Sequence, residues 1–327
     1  MSTNRKKVLV PHTMGRAGTD ILKARDDIDM VVFQGTISQE DFRPLLTDAA
    51  GVALSSTAFR QAEMDAAPVM QVVARIGVGY DAVEVPALTA RGVPLLTAGT
   101  ANSVSVAEHA MFMMLALAKR GRLMDNLVRD DRWNDRHHYL PYEIAEKTVL
   151  VVGYGRIGTR SAKRAAAMEM NVLVYDPYVP AASIAAAGYE AVSDLDAALP
   201  RADFVTIHCP KNPETVGMFN AARFARMKKG VFVVNTARGG IIDEQALHDA
   251  LVSGHVAGAG LDVYATEPAP MANKLLALDT VISTPHMAGV TAEAVQAMAA
   301  ATARNILSVL DGKPNRENVI NKEVLGE

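Results

Sequence analysis

Three stretches of this 327-residue chain carry residue types and spacings that can do chemistry. The first is Gly153-x-Gly155-x-x-Gly158, which follows the apolar run Val149–Val152 and precedes an Ala-rich helical pattern from Thr159. Strand, glycine turn and helix start, in that order, suit a diphosphate. Gly153 allows a sharp turn, Gly155 lets an anion approach bare backbone, and Gly158 lets the helix pack closely. Free N–H groups and the positive end of the helix dipole then face the ligand. A second strand pattern, residues 171–175, ends at Asp176, eighteen positions past Gly158. A carboxylate there accepts hydrogen bonds from both ribose hydroxyls of NAD and repels a 2′-phosphate. NAD is therefore favoured over NADP.

The second stretch is Asn235-Thr-Ala-Arg238-Gly-Gly240, after the strand pattern 231–235. A guanidinium in a loop at a strand end can fork onto a carboxylate and a carbonyl oxygen together, which an ammonium does less well. Read without its flanks, Arg238 is an ordinary surface arginine. The third is Thr284-Pro285-His286. An imidazole titrates near neutrality and can give a proton to a ketone or take one from an alcohol. Read alone, a histidine after a proline is more often a surface or core residue. Cys209 has no paired base in its pattern and is not expected to act as a nucleophile.

The elements that must position these groups alternate strand with helix. Strand patterns at 7–10, 31–33, 51–54, 72–76 and 93–96 come first, with a helix near 19–25 and another opening at Ser38-Gln-Glu-Asp41. One long, nearly all-apolar helix is expected from Val104 to about Arg120 and on towards Arg129, either centrally buried or shared with another subunit. A second strand series (148–152, 171–175, 204–208, 231–235, 258–262, 281–283) follows, and a last helix runs from after Gly289 to Leu310. Such alternation implies parallel sheets with ligands at the carboxyl ends of the strands. Length suits two domains. A net charge of −3 gives no reason to expect nucleic-acid or membrane attraction. One cysteine, no zinc-type spacing and no signal-like or spanning apolar run lead to the expectation of a cytoplasmic, metal-free protein. His137-His138 reads as a solvated loop.

The ordered set of motifs resembles the D-isomer-specific 2-hydroxyacid dehydrogenase family. It comprises Arg75-x-Gly77-Val78-Gly79-x-Asp81, Val106-Ala-Glu108-His109, the glycine turn with Asp176, and His208-x-Pro210-x-x-Pro213-Glu214-Thr215. It continues through Asn235-Thr-Ala-Arg238-Gly-Gly240, Leu261-Asp262-Val263, Glu267-Pro268 and Thr284-Pro285-His286 to Gly289. Each motif alone is modest; all of them in this order is highly specific.

The resemblance implies an α/β fold of two doubly wound parallel-sheet domains. A Rossmann NAD-binding domain (103–289) is inserted in a flavodoxin-like substrate domain (1–102 and 290–327), with the catalytic cleft between them. It implies hydride transfer between nicotinamide and a small D-2-hydroxy acid or 2-oxo acid. His286 would be the acid/base, Glu267 its carboxylate partner, favouring the protonated ring, and Arg238 the carboxylate anchor. The amides of Val78 and Gly79 would meet the substrate carboxylate, and Arg75 would brace their loop. Arg156 and Ile157 would lie over the diphosphate, and His208, Cys209 and Pro210 along the adenosine wall. Thr236 would sit near the nicotinamide ribose, Asp262 would accept from the carboxamide, and Val106, Thr215, Ala237 and Gly289 would complete the cofactor site. A homodimer through the helix at about 103–125 is also implied.

Ser55 stands where phosphoglycerate-oxidising members commonly carry an arginine for the substrate phosphate, which points away from that substrate; His12, Arg16 and Arg60 are the alternative cations. The segment 133–142, with Trp133, His138 and Tyr139, departs from the family pattern; in some relatives this stretch reaches the partner's active site. Two other readings remain open at this level. One is a dinucleotide-sensing, corepressor-like binding protein, against which Arg238, Glu267 and His286 argue. The other is a dehydrogenase of a different oxyanion such as phosphite.

Overall fold

The computed structural model describes residues 5–326. Contacts divide the chain into two units. One takes the chain up to Asn102 and again from Val290; the other is Ser103–Gly289.

The first unit runs β1 (Lys6–Pro11), α1 (Arg16–Lys23), β2 (Ile28–Phe33), α2 (Gln39–Leu46), β3 (Ala49–Leu54), α3 (Gln61–Asp65), β4 (Val72–Arg75), α4 (Val85–Ala90) and β5 (Leu95–Leu96). The long C-terminal helix Ala292–Leu310 joins it. All strands pair in parallel, in the order β2-β1-β3-β4-β5, which is the flavodoxin-like arrangement. Central β3, Ala-Ala-Gly-Val-Ala-Leu, is buried at every position. Continuous apolar character, without alternation, is what a strand covered by helices on both faces requires. The expected start of α2 is present: Ser38 caps it, its hydroxyl accepting from the Asp41 amide at 3.1 Å.

The second unit opens with α5 (Ser103–Ala118) and α6 (Gly121–Arg129), then a 3₁₀ turn at Trp133–His138. It continues through β6 (Thr148–Val152), α7 (Gly158–Ala167), β7 (Asn171–Tyr175), α8 (Ala181–Ala186), β8 (Glu190–Ala191), α9 (Leu195–Ala198) and β9 (Phe204–Ile207). It closes with α10 (Ala221–Arg226), β10 (Val231–Asn235), α11 (Glu244–Val252), β11 (Val256–Leu261) and β12 (Val281–Ser283). The seven parallel strands lie in the order β12-β11-β10-β9-β6-β7-β8. Numbered within the unit, that is the Rossmann order 3-2-1-4-5-6 with one strand added at the edge. Along β6 the side chains alternate between two cores. Val149 and Val151 pack with Met113, Met114 and Ala162 on one face. Leu150 and Val152 pack with Leu195, Phe224 and Leu247 on the other.

Two expectations change. The long helix from Val104 is broken: Arg120 takes a left-handed backbone, φ 51°, and α6 starts afresh at Gly121. Apolar periodicity reports which face a helix buries, not a single residue that leaves helical φ, so the break was invisible in the pattern. The pair His137-His138 belongs to the short 3₁₀ turn rather than to an irregular loop, though none of its residues is buried.

Candidate active site and cofactor cradle

Register sets the stage. At the carboxyl edge of the second unit Asn235 of β10 lies beside Leu261 of β11, and Leu261 beside Ser283 of β12. The loops that follow, bearing Arg238, Glu267 and His286, therefore leave adjacent strands at the same level.

Each loop is held by a polar side chain, buried for Asn235 and Asp262 and partly exposed for Glu244. Asn235, 1 % exposed, accepts from the Ala237 amide at 3.0 Å and donates to the Arg238 carbonyl at 2.9 Å, closing the turn that presents Arg238. Gly239 then runs against the next loop so tightly that a Cβ would stand 1.7 Å from the Tyr264 carbonyl oxygen. Glu244, at the start of α11, accepts from the Ala265 amide and the Asn273 side chain at 2.6 and 2.8 Å. Glu267 itself accepts from the Tyr264 amide through Oε1 at 2.9 Å, and its Oε2 is 2.7 Å from His286 Nδ1. Because a carboxylate can only accept, Nδ1 carries the proton, and Nε2 is left for other work. Both side chains are accessible, 49 % for His286 and 36 % for Glu267.

Asp262 holds the third loop. It is 1 % exposed and receives the Thr284 hydroxyl and the Met287 amide on Oδ1, at 2.5 and 2.8 Å, and the Ala288 amide on Oδ2 at 2.9 Å. Its carbonyl accepts the His286 amide at 2.8 Å. This set of bonds keeps His286 at φ 55°, a left-handed conformation that costs on the order of 1 kcal/mol outside glycine. Three of roughly four acceptor directions of the carboxylate are thus used within the loop. The sequence offered Asp262 only as a cofactor contact; its loop-building work, and the part of Thr284 in it, could not be read from spacing.

The glycine turn fits a dinucleotide. Gly153 has φ 94°, and a Cβ there would lie 2.6 Å from the Cys209 amide nitrogen. A Cβ on Gly158 would lie 1.9 Å from the Gly153 carbonyl oxygen, whereas one on Gly155 would meet nothing within 4 Å. Turn, open approach and close packing fall to the three glycines in that order, ahead of α7. Arg156 is exposed and Ile157 partly so at the helix entrance. Asp176, at the end of β7, accepts from the Tyr154 and Tyr178 amides at 2.7 and 2.9 Å. The buried Thr236 Oγ1 has no protein partner among the described residues, and neither has His208 Nδ1. Two such orphans beside the cradle suit a polar ligand. His208 is half-buried, with Nδ1 closed off from solvent and Nε2 3.0 Å from Thr206 Oγ1. Burial pushes the imidazole down to about 4 and the Cys209 thiol up to about 11, so both are neutral near pH 7 and belong to a wall. Pro210 is exposed beside them.

Thr215 turns inward: its hydroxyl donates to the Pro210 carbonyl at 2.7 Å and accepts the Asn212 amide at 2.8 Å, bracing that loop. Ala237 is fixed by Asn235 as above, Val106 is buried in the first turns of α5, and Gly289 is half-buried after the His286 loop. Among the described residues no group of three or more His, Cys, Asp or Glu could hold a metal ion, and no helix is long and apolar enough to cross a membrane.

In the first unit, Gly77 has φ 137° and its carbonyl accepts the Ala98 amide at 2.8 Å. Arg75 Nη1 donates to the Leu54 and Ile76 carbonyls at 3.0 and 3.3 Å, bracing the ends of β3 and β4. Val78 and Gly79 follow, half-buried, and Ser55 stands partly exposed just past β3.

Residues 111–288 match the family described as D-isomer specific 2-hydroxyacid dehydrogenase, NAD binding domain. The chain belongs to the D-isomer specific 2-hydroxyacid dehydrogenase family, and its second unit carries that family's NAD-binding domain. Among curated relatives, a D-3-phosphoglycerate dehydrogenase of Archaeoglobus fulgidus is 38 % identical over 313 residues, 96 % of this chain and 59 % of that protein. A D-3-phosphoglycerate dehydrogenase of Mycobacterium tuberculosis is 44 % identical over 276 residues, covering 83 % and 52 %. The chain thus spans about half the length of the curated relatives it matches. Among solved structures, the TT0316 protein of Thermus thermophilus superposes with a TM-score of 0.86 at 31 % identity, covering 96 % of this chain and 99 % of the other. A glyoxylate reductase from Paecilomyes thermophila gives 0.87 at 26 % identity, covering 98 % and 99 %.

Proposed function

We propose that the chain is an NAD-dependent oxidoreductase acting between a small D-2-hydroxy acid and its 2-oxo acid. The observation that carries this reading is the His286–Glu267 pair, 2.7 Å apart, on loops leaving β12 and β11, the two strands that follow the β10 of Arg238 across the sheet. When bound, NADH supplies the hydride that the carbonyl carbon receives. His286 Nε2 gives the proton to the carbonyl oxygen and takes it back from the alcohol, while Glu267 fixes the ring with Nδ1 protonated and stabilises its charge in the cationic form. Arg238 anchors the substrate carboxylate and polarises the carbonyl. In the first unit the amides of Val78 and Gly79 are assigned to the carboxylate, and Ser55 to the substrate's far end, on the family resemblance.

The cradle of Gly153, Gly155, Arg156, Ile157 and Gly158 takes the diphosphate, Asp176 the adenosine ribose, and His208, Cys209 and Pro210 line the adenosine side. Thr236, with Ala237, takes the nicotinamide ribose, its unpartnered hydroxyl being free to bond it. Asp262 retains one acceptor direction for the carboxamide, and Val106, Thr215 and Gly289 shape the pocket around these contacts. A second copy of the chain is assigned to the apolar face of α5, and a cytoplasmic setting is consistent with the single cysteine.

The test is NADH oxidation with pyruvate, glyoxylate, hydroxypyruvate, 3-phosphohydroxypyruvate and branched or aromatic 2-oxo acids. An unphosphorylated 2-oxo acid is the expected best substrate, because Ser55 offers no cation to a phosphate. His286→Ala should lower kcat by about 10²–10⁴ while NADH titrated by fluorescence binds within twofold of wild type. Arg238→Ala should damage KM and kcat together. Turnover with none of these acids, or full activity in His286→Ala, overturns the proposal.

A further inference from the structure

His109 lies on α5, far from the three loops in sequence, and has no part in the chemistry assigned above. Its side chain is 19 % exposed, and Nε2 is 3.0 Å from Thr284 Oγ1. The direction of that bond is fixed by its neighbour. Thr284 Oγ1 is 2.5 Å from Asp262 Oδ1, and an ionised carboxylate only accepts, so the single hydroxyl proton goes to Asp262. The hydroxyl oxygen must then accept, and His109 Nε2 must donate. The bonds run one way, from His109 to Thr284 to Asp262. The ring also stands 4.0 Å from Asp262 Oδ1 and rests against Phe112, centroids 5.6 Å apart, which fixes its plane.

Asp262 is the group that gathers the amides of Met287 and Ala288 and, through its carbonyl, that of His286. We propose that His109 is a positioning residue for the acid/base loop: its Nε2–H orients the Thr284 hydroxyl, and so the Asp262 carboxylate that holds His286 left-handed against Glu267. The effect on catalysis rests on the role given to His286 in the preceding subsection; the effect on the loop does not. Without the donor, the Thr284 hydroxyl is anchored by its bond to Asp262 alone, and the side-chain position that sets the shortest bond to Asp262 loses its second support. The 2.7 Å contact between His286 and Glu267 is then held on one side only. Reactive-group misplacement of this size costs rate rather than affinity.

Three variants separate the bond from the bulk. His109→Phe keeps the ring on Phe112 and removes the donor. His109→Gln returns an N–H near the place of Nε2. Thr284→Val cuts the link from its other end and serves also if His109→Phe fails to fold. Each is measured for kcat, KM and melting temperature with the best acid found above. In the absence of cofactor and substrate, the imidazole nitrogens of His286 are observed by NMR in histidine-labelled protein.

Expected for His109→Phe and Thr284→Val is a fall in kcat of about tenfold, with KM and NADH affinity within about threefold. The His286 signals should shift from one tautomer, Nδ1 protonated, towards a mixture. His109→Gln should recover most of both. Unchanged His286 signals and kcat in His109→Phe, or no better result with Gln than with Phe, overturn the positioning role. If wild-type protein turns over none of the acids, the dehydrogenase reading has failed, and the cofactor-free NMR comparison still decides the role of His109.

Discussion

A histidine at φ 55° holds its place only where its neighbours supply the bonds that compensate the strain, and here one buried carboxylate does so. The same economy applies at Asp176. Its two oxygens each take one backbone amide, from Tyr154 and Tyr178, which orients the carboxylate and leaves further acceptor directions for ribose hydroxyls. Removing it should cost NAD two hydrogen bonds and remove the repulsion felt by a 2′-phosphate. Asp176→Ala is therefore expected to weaken NADH about 10- to 100-fold and to change NADPH much less, read as dissociation constants by fluorescence titration. A wild-type preference for NADPH would defeat the ribose assignment. The sharp turn at Gly153 and the close packing at Gly158 follow from the lack of a Cβ, and a Cβ at either would run into backbone.

At the scale of elements, close approach decides where small residues must stand. α1 packs on the C-terminal helix through Gly18, where a Cβ would lie 2.5 Å from the Ala299 carbonyl oxygen. That obstacle is backbone and cannot swing aside. Gly18→Ala should push the two helices apart and cost about 1–3 kcal/mol, measured as a lower urea midpoint. An unchanged midpoint would mean that the helix pair yields freely. Gly260 in β11 meets α5 in a similar way, since a Cβ there would meet Met113 Cβ and Sδ at 2.9 Å; the thioether can move, but the Cβ is fixed to the helix. Strands β6, β7, β10 and β12 were legible to the residue, because buried parallel strands are short unbroken apolar runs. Two-residue β8 and the short α3, α4 and α8 gave no pattern long enough to detect.

For the molecule as a whole, the second unit carries an apolar surface that its own core leaves uncovered. Phe112 is 52 % exposed and Val104 44 % on α5. A recess of about 620 Å³ is lined by Met111, Phe112, Leu115 and Ala116 together with the charged Glu108, Lys119 and Arg164. Apolar and aromatic side chains accompanied by a few charged ones are the composition of a subunit interface. With the dimer assigned to this face, Phe112→Glu should halve the mass seen by light scattering at micromolar concentration, because a buried unpaired carboxylate cannot be accommodated. A wild-type protein that is monomeric at that concentration would remove the assignment.

Strand patterning and glycine spacing were enough to read the parallel sheets and the glycine turn, and the ordered motifs marked Arg238 and His286 as candidates for chemistry. The sheets and the turn rest on local rules, strand periodicity and backbone freedom at glycine; the two side chains stand out through their flanking motifs and the family resemblance. How Asp262, Thr284 and His109 are used, and the inward turn of Thr215 that braces its own loop, emerge from the folded arrangement alone. Hydrogen bonds between residues 175 positions apart, such as that joining His109 to Thr284, depend on the sheet bringing α5 beside β12. A direction of donation also exists only once every partner is in place, and no spacing along a chain encodes it.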